Sequence, residues 1–229
     1  MVTSADESKR AAARAAIAEL PESGTIGLGT GSTTRFFIDA VGELVAAGRH
    51  LVGVPTSEAS RRQAAALGIP LLADDGPWDI DVTVDGADEV SDALDLIKGG
   101  GGAQTREKII NFSSKRNVII VDESKLSARL GERWAIPIEV IEFGHLATAR
   151  QLEKHGAPKR RERDGVAVRT DAGNFIYDLR TPPIDDPRAL DVVLRAIPGI
   201  VETGLFVGRA DVVLVAGATA TRRMTPTER

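Results

Sequence analysis

The sequence has no cysteine and no long apolar run, and both absences narrow what it can encode. Without cysteine among its 229 residues, disulfides, thiolate nucleophiles and cysteine-based zinc sites are excluded. No apolar stretch approaches the length of a membrane-spanning helix, and the opening MVTSADESKR lacks the apolar segment of a signal peptide. We therefore expect a cytoplasmic protein without a membrane partner.

Excess positive charge is also lacking. The chain has 29 basic and 33 acidic residues, for a net charge of -4, so it has no general electrostatic attraction to nucleic acid. Its three histidines, His50, His145 and His155, are widely spaced and suggest no metal site. The composition is that of an ordinary soluble globular protein.

The segment from Asp85 to Glu107, DGADEVSDALDLIKGGGGAQTRE, is rich in charged residues and glycine. It follows WDIDVTV, whose apolar residues alternate as in a strand. Asp85, Asp88 and Glu89 therefore come at the carboxyl end of a strand, where open α/β sheets place their ligands. The pattern predicts an active site.

Four consecutive glycines, Gly99 to Gly102, stand in the middle of this segment. Such a run weakens a helix or a core, and it is better explained by a backbone that approaches a ligand closely. Residues 104–114 then have the pattern of a helix. The glycine turn would direct free N–H groups and the helix amino terminus at an anion or a developing oxyanion.

A second glycine motif, TIGLGTGSTTRFF, lies between a short apolar strand and an amphipathic helix that Gly48 would end. Its loop, residues 29–33, is rich in hydroxyls and could hold a phosphate at the positive end of that helix. The glycines at 27, 29 and 31 do not fit the dinucleotide fingerprint G-x-G-x-x-G. The alternative is a turn with a purely structural role.

Three further motifs follow in order: TSEAS at 56–60, VDESK at 121–125 and ETGLF at 202–206. With TGST at 30–33, DGADE at 85–89 and KGGGGAQTREKII at 98–110, they make the chain resemble the ribose-5-phosphate isomerase A family over nearly its whole length. The resemblance implies cofactor-free interconversion of ribose 5-phosphate and ribulose 5-phosphate in the non-oxidative pentose phosphate pathway. The chain departs from the family pattern at Ser60, where threonine is commoner, and at Gln104, where an apolar residue is usual.

The fold expected is α/β, because apolar strand candidates alternate with helical patterns in the first half of the chain. These candidates are residues 25–29, 51–54, 69–72, 80–84 and 118–121, and a late strand at 210–217 would rejoin the same sheet. The resemblance implies a Rossmann-like, doubly wound, mostly parallel sheet with a smaller α+β (ferredoxin-like) inserted domain. We place the main domain at 1–126 plus 199–229 and the smaller one at 127–198.

Aldose–ketose isomerisation needs a base that removes a proton beside a carbonyl and returns it to the neighbouring carbon. Glu107 is our candidate, because the glycine turn before it could set its carboxylate against donors that hold a cis-enediolate. The resemblance gives the glutamate of TREK the same role. The alternative is an exposed glutamate on a helix face, as most glutamates are.

Lys98, directly before the glycines, could stabilise the enediolate oxygen, and its alternative is a solvated lysine. Asp85 and Asp88 could bind sugar hydroxyls, and the resemblance makes Asp85 the better candidate for opening the sugar ring. Their alternative is a turn-forming or capping role. We leave Glu89 out of catalysis.

Lys125 resembles the family lysine that contacts substrate, with a structural ion pair as the alternative, while the motif around Lys9 is too loose to count. The predicted substrate-binding residues are Thr30, Gly31, Ser32, Thr33, Asp85, Gly86, Ala87, Asp88, Lys98, Gly99, Gly100, Gly101 and Lys125.

The expected partner is a small sugar phosphate, bound by a homodimer or homotetramer. Two other functions stay open, a sugar-phosphate-sensing module and a related enzyme such as an amino-sugar-phosphate deaminase or a CoA transferase. A base at Glu107 distinguishes the isomerase from a sensor.

Overall fold

The structure, a computed structural model, describes residues 4–217 and 220–226. Its helices are α1 (Ser4–Ile17), α2 (Thr34–Ala46), α3 (Glu58–Ala66), α4 (Gln104–Phe112), α5 (His145–Leu152) and α6 (Pro187–Arg195). Its strands are β1 (Ser23–Leu28), β2 (His50–Pro55), β3 (Val82–Asp85), β4 (Glu89–Val90), β5 (Leu96–Ile97), β6 (Asn117–Asp122), β7 (Ile136–Val140), β8 (Ala157–Arg160), β9 (Glu162–Arg163), β10 (Val166–Ala167), β11 (Phe175–Arg180), β12 (Ile200–Thr203), β13 (Leu205–Phe206), β14 (Val212–Ala216) and β15 (Thr221–Met224).

The described chain forms two compact units. The first comprises the described parts of residues 1–86, 106–125 and 209–229, and the second comprises residues 87–105 and 126–208. These units differ from the predicted domains, because residues 87–105, 126 and 199–208 group with the second unit. The reason is strand pairing: β5 pairs with β4 and β13, and β12 pairs with β7.

The first unit is built on a six-stranded sheet in the order β15-β14-β6-β3-β1-β2. Five strands run parallel and only β15 is antiparallel, pairing with β14. The parallel strands read as continuous apolar runs, such as VIIV at 118–121, because both faces of such a sheet are covered. A core that includes Phe37, Leu28 and Ile120 fills one face.

The second unit contains a four-stranded antiparallel sheet in the order β12-β7-β11-β8. With α5 and α6 it follows the succession β-α-β-β-α-β, which is the ferredoxin-like arrangement. Its core includes Ile138, Tyr177, Leu179 and Leu194. The predicted fold class, an α/β Rossmann-like sheet with a smaller α+β domain, is confirmed.

Two details of the secondary structure differ from the sequence prediction. Residues 69–72 do not form a strand; they make only one bridge, between Gly53 and Leu71. Pro70 has no N–H to give to a ladder, although its carbonyl accepts from Gly53 N at 2.8 Å. Helix α6 was not predicted. By contrast, Gly48 ends α2 as expected, with φ of 97°.

None of the helices in residues 4–217 and 220–226 is both long and apolar enough to cross a membrane.

Candidate active site

The order of strands in the first unit reverses at β1, which lies between β2 and β3. Open α/β sheets bind ligands at the carboxyl ends of the strands beside such a reversal. The segments found there are the loop of residues 29–33 after β1 and Asp85 at the end of β3. Both segments are candidates from the sequence.

Asp85 is buried, with only 3% of its surface exposed, and backbone groups hold its carboxylate. Its Oδ1 accepts hydrogen bonds from the N–H of Thr30, at 3.0 Å, and from that of Gly86, at 2.7 Å. Gly29 lies directly against it: a Cβ at Gly29 would come within 2.6 Å of the Asp85 Cα. A side chain at position 29 would therefore displace Asp85.

The TGST loop leads into the first turn of α2. Gly31 has φ of 131°, a conformation that L residues rarely adopt, and its carbonyl accepts from the Thr34 hydroxyl at 2.9 Å. Thr33 is the N-cap residue of α2, yet its side chain makes no capping hydrogen bond. The loop thus presents hydroxyls at the positive end of a helix.

Ser32 and Thr33 line a cavity of about 890 Å³ together with Lys125 and Lys9. Lys125 lies in a short 3-10 turn, Glu123–Lys125, that follows β6. The cavity also has acidic residues in its wall, among them Glu123. The structure therefore brings three predicted phosphate contacts together and adds Lys9, whose loose motif gave too weak a signal.

Glu107 lies in the first turn of α4 and is buried, at 4% exposed. The alternative interpretation of an exposed glutamate is therefore wrong. Ile110 anchors the helix in a cluster with Val54 and Ile80. Ile109 and Phe112, in contrast, are exposed.

Arg106, the neighbour of Glu107, forms an ion pair with Glu58 at the start of α3, with 2.8 Å between Nη1 and Oε1. The hydrogen bond from Arg106 lowers the pKa of the Glu58 carboxyl below its usual value. This pair ties the first turn of α4 to the TSEAS segment within the first unit.

In the second unit, Lys98 follows β5 and is only 3% exposed, so it is not a solvated lysine. Its ammonium lies 5.5 Å from the centre of the Phe206 ring. The backbone N–H of Lys98 donates to the Gly204 carbonyl at 2.9 Å. Both partners belong to the ETGLF motif. The ETGLF motif, which ends in β13, therefore holds Lys98 through both its backbone and its side chain.

The glycine turn is organised around Asp88. Gly100 N donates to Asp88 Oδ2 at 2.6 Å, and Asp88 N donates to the Ile97 carbonyl at 2.8 Å. Gly99 and Gly102 have φ of 104° and 80°, which explains glycine at both positions. Asp88 therefore shapes the turn, as the structural alternative expected, and its contact with a sugar stays a prediction.

Arg161 is a residue of this region that the sequence did not reveal. It directly follows β8, which is an edge strand of the four-stranded antiparallel sheet. Arg161, however, donates to the carbonyls of Gly99 and Gly100, at 2.9 and 3.1 Å, and pairs with Asp178. These hydrogen bonds hold the two carbonyl groups of the glycine turn in place.

Glu89 has a structural role. Its buried carboxylate accepts from the Ser127 hydroxyl at 2.8 Å and from the backbone N–H of Gly131, Arg133 and Trp134. The group therefore organises the loop before β7. Nowhere in the described parts of the chain do three or more His, Asp or Glu side chains group in a way that could hold a metal ion.

Comparison with known proteins gives a consistent picture. The family model of ribose 5-phosphate isomerase A (phosphoriboisomerase A) matches residues 52–220. A ribose-5-phosphate isomerase A of Rhodopseudomonas palustris is 47% identical over 227 residues, which cover 96% of this chain and 97% of that protein.

Two solved structures are also similar to this chain. The ribose 5-phosphate isomerase A of Methanocaldococcus jannaschii has a TM-score of 0.91 at 38% identity and covers 96% of this chain and 99% of its own. A D-ribose-5-phosphate isomerase in complex with phospho-erythronic acid has a TM-score of 0.93 at 39% identity, with coverage of 96% and 99%.

Proposed function

This chain belongs to the ribose 5-phosphate isomerase A family, and we propose that it interconverts D-ribose 5-phosphate and D-ribulose 5-phosphate through a cis-enediolate, with Glu107 as the base. The reaction is an aldose–ketose isomerisation in the non-oxidative pentose phosphate pathway. The observation that carries the assignment of the base is the burial of the Glu107 carboxylate in the first turn of α4.

The chemistry needs one base used twice. The Glu107 carboxylate takes the proton from C2 of the open-chain aldose, and the C2–H electrons form the enediolate double bond while the C1 carbonyl oxygen gains charge. The resulting carboxylic acid then returns a proton to C1, and a proton moves between the two oxygens, which leaves the C2 ketone. A positioned proton-transfer group of this kind accelerates a reaction by about 10²- to 10⁴-fold.

Lys98 supplies the positive charge for the enediolate oxygen. Its ammonium is buried and lies beside an aromatic ring, so that its charge acts in a medium of low dielectric constant. The N–H groups of Gly99 and Gly101 are further donors for the same oxygens, whereas the N–H of Gly100 donates to Asp88. Lys98 and the glycine turn thus stabilise charge, whereas Glu107 moves the proton.

Asp85 opens the cyclic sugar, and Asp88 binds a sugar hydroxyl. The backbone of Gly86 and Ala87 also contacts the substrate. The support for Asp85 is its fixed carboxylate: two backbone N–H groups hold Oδ1 and thereby set the direction of the other oxygen. Preorganised groups of this kind need no rearrangement during the reaction.

The phosphate binds at the loop of residues 30–33. Its support is the cavity that Ser32 and Thr33 share with Lys125 and Lys9, at the amino end of α2. Gly31 allows the backbone conformation of this loop. Neither the sensing module nor the deaminase or CoA transferase is favoured by any feature of the site.

The chain works in the cytoplasm as a homodimer or homotetramer. Support for self-association comes from the second unit, where Phe143, Leu146 and Val192 are 90%, 70% and 64% exposed. Contiguous exposed apolar patches mark interaction surfaces, and Phe143 lines one groove together with Ile141 and Val193. Sedimentation velocity should give the mass of two or four chains, and a single species of 24.3 kDa would exclude the assembly.

The function is tested by mixing the purified protein with ribose 5-phosphate and following ribulose 5-phosphate by proton NMR. We expect the same equilibrium mixture from either sugar. Folded protein that leaves both sugars unchanged would exclude the isomerase.

A further inference from the structure

The TSEAS segment has no task in the mechanism above, although three of its side chains are buried hydroxyls. Thr56, Ser57 and Ser60 meet the Thr30 side chain, and we call these four residues the hydroxyl cluster. Thr30 Oγ1 lies 2.7 Å from both Thr56 Oγ1 and Ser57 Oγ, and 3.3 Å from Ser60 Oγ. The cluster lies wholly within the first unit.

One series of hydrogen bonds in the cluster has a defined direction, whereas either partner can donate in the contacts of Thr30 with Thr56 and with Ser60. Thr30 Oγ1 donates to Ser57 Oγ, which donates to Ser60 Oγ at 3.2 Å. Ser60 Oγ then donates to the Gly29 carbonyl at 2.6 Å. Because a hydroxyl carries a single proton, the Thr30 proton is used inside the protein. Thr30 therefore has no hydroxyl proton left for a substrate phosphate.

The chain of bonds ends on one peptide group. Its carbonyl belongs to Gly29 and accepts from Ser60 Oγ, and its N–H belongs to Thr30 and donates to Asp85 Oδ1 at 3.0 Å. Hydrogen bonds at the two ends of a peptide fix its plane and strengthen one another. The Ser60 hydroxyl is thereby connected to the Asp85 carboxylate through a single rigid group.

We propose that Ser60 is a positioning residue for Asp85, acting through the peptide that joins Gly29 and Thr30. In the same arrangement Thr30 shapes the loop, and the phosphate is left to Ser32, Thr33 and the lysines of the cavity. The inference rests on the proposed role of Asp85 in the isomerase reaction.

A role limited to the stability of α3 does not account for these contacts. The cap of that helix is Ser57, whose side chain accepts from the backbone N–H of Ser60 at 3.2 Å. The Ser60 hydroxyl is not needed for this bond. It reaches instead to a carbonyl 31 residues earlier in the chain.

The direct test compares Ser60→Ala with the wild type and with Ser60→Thr, which keeps the hydroxyl. Loss of one hydrogen bond of ordinary strength should lower kcat about 2- to 12-fold in Ser60→Ala. The KM for ribose 5-phosphate and the inhibition constant of inorganic phosphate should stay within about two-fold, because the cavity residues are unchanged. Ser60→Thr should restore at least half of the wild-type kcat.

A matched control is Ser113→Ala, which removes another hydroxyl from the first unit. Ser113 directly follows α4, and its Oγ donates to the Ile109 carbonyl in the last turn of that helix at 2.8 Å. It takes no part in the site. We expect wild-type kinetics from this variant. Should Ser60→Ala fail to fold, Ser60→Cys keeps a side chain of similar size with a much weaker donor, and it should lower kcat in the same direction.

Several results would overturn the inference. A folded Ser60→Ala protein with wild-type kcat, an equal loss in Ser60→Thr, or a weaker phosphate affinity at unchanged kcat would each show that Ser60 does not position Asp85. An inactive wild type would instead reject the proposed function. The two failures are therefore distinguishable.

Discussion

Replacing Gly29 by alanine should damage the reaction far more than the fold. The added Cβ would lie 2.6 Å from the Cα of Asp85 and closer still to its carboxylate. Ordinary carbon–carbon contacts are about 3.5–4.0 Å long. The backbone of the loop after β1, or that of Asp85, must therefore move by about 1 Å, since no side-chain rotation can relieve a contact with Cα.

The size of the effect follows from this displacement. Crowding a packed region costs about 1–3 kcal/mol of stability, which in a chain of this size lowers Tm by about 2–12 °C. A misplacement of 1 Å in an active site can cost about 10²-fold in rate. We therefore expect kcat/KM to fall by about 10²-fold in a protein that is still folded at 25 °C.

The matched control is Gly53→Ala on β2. A Cβ there would lie 2.6 Å from Leu28 Cδ1 and 3.0 Å from Leu71 Cδ2, which are ends of flexible side chains. Thermal unfolding by circular dichroism and initial-rate kinetics are measured for both variants. The control should lose stability and keep kcat/KM within about three-fold. Equal losses of activity in both variants, or full activity in Gly29→Ala, would refute the reasoning.

Three further outcomes are expected. Activity should persist in a chelator, because Lys98 and backbone donors supply the charge stabilisation; loss of activity that a divalent ion restores would contradict this. Gly31→Val should raise KM at least about five-fold while circular dichroism stays native, since a side chain at φ of 131° is strained by about 1–3 kcal/mol; an unchanged KM would return the loop to a structural role. Gln104→Met should raise Tm by about 2–10 °C in calorimetry, because both side-chain amide atoms are buried without a hydrogen-bond partner among the described residues; a lower Tm would argue against this cost.

The main sheet could be predicted because its strands carry their own signal. A strand buried on both faces is a continuous apolar run, as in VIIV before Asp122 and VVLVA at 212–216. Residues 69–72 carry a similar run, yet Pro70 limits them to one bridge. The partner of a run, and whether it has one, depends on residues far away in the sequence.

Helix α6 was not predicted, although the sequence contains a start signal for it. Pro187 stands at the first turn of the helix, where its missing N–H costs nothing. The Asp186 side chain caps the helix by accepting from Ala189 N at 2.9 Å. An aspartate followed by proline is a start signal for a helix, and it could have been used.

The candidate site could likewise be predicted only in part. Motifs identified Asp85, Lys98 and Glu107, and the structure shows all three to be buried. Helical periodicity alone would not have found Glu107, since the neighbouring Ile109 is exposed. Arg161 could not be foreseen, because its contact with Gly99 joins residues 62 positions apart and leaves no local pattern.

The central claim is that Glu107 moves the proton, and the isomerisation of ribose 5-phosphate by Glu107→Gln in deuterated water tests it most directly. The substitution keeps the shape of the side chain and removes the base, so the fold and the binding of sugar phosphate should remain. The wild type should place deuterium on C1 of ribulose 5-phosphate, at least in part. The variant should lose about 10⁴-fold or more in rate, because one group serves both transfers, and should place no deuterium. A folded variant that keeps more than about a tenth of the wild-type rate and still incorporates deuterium would show that another group is the base.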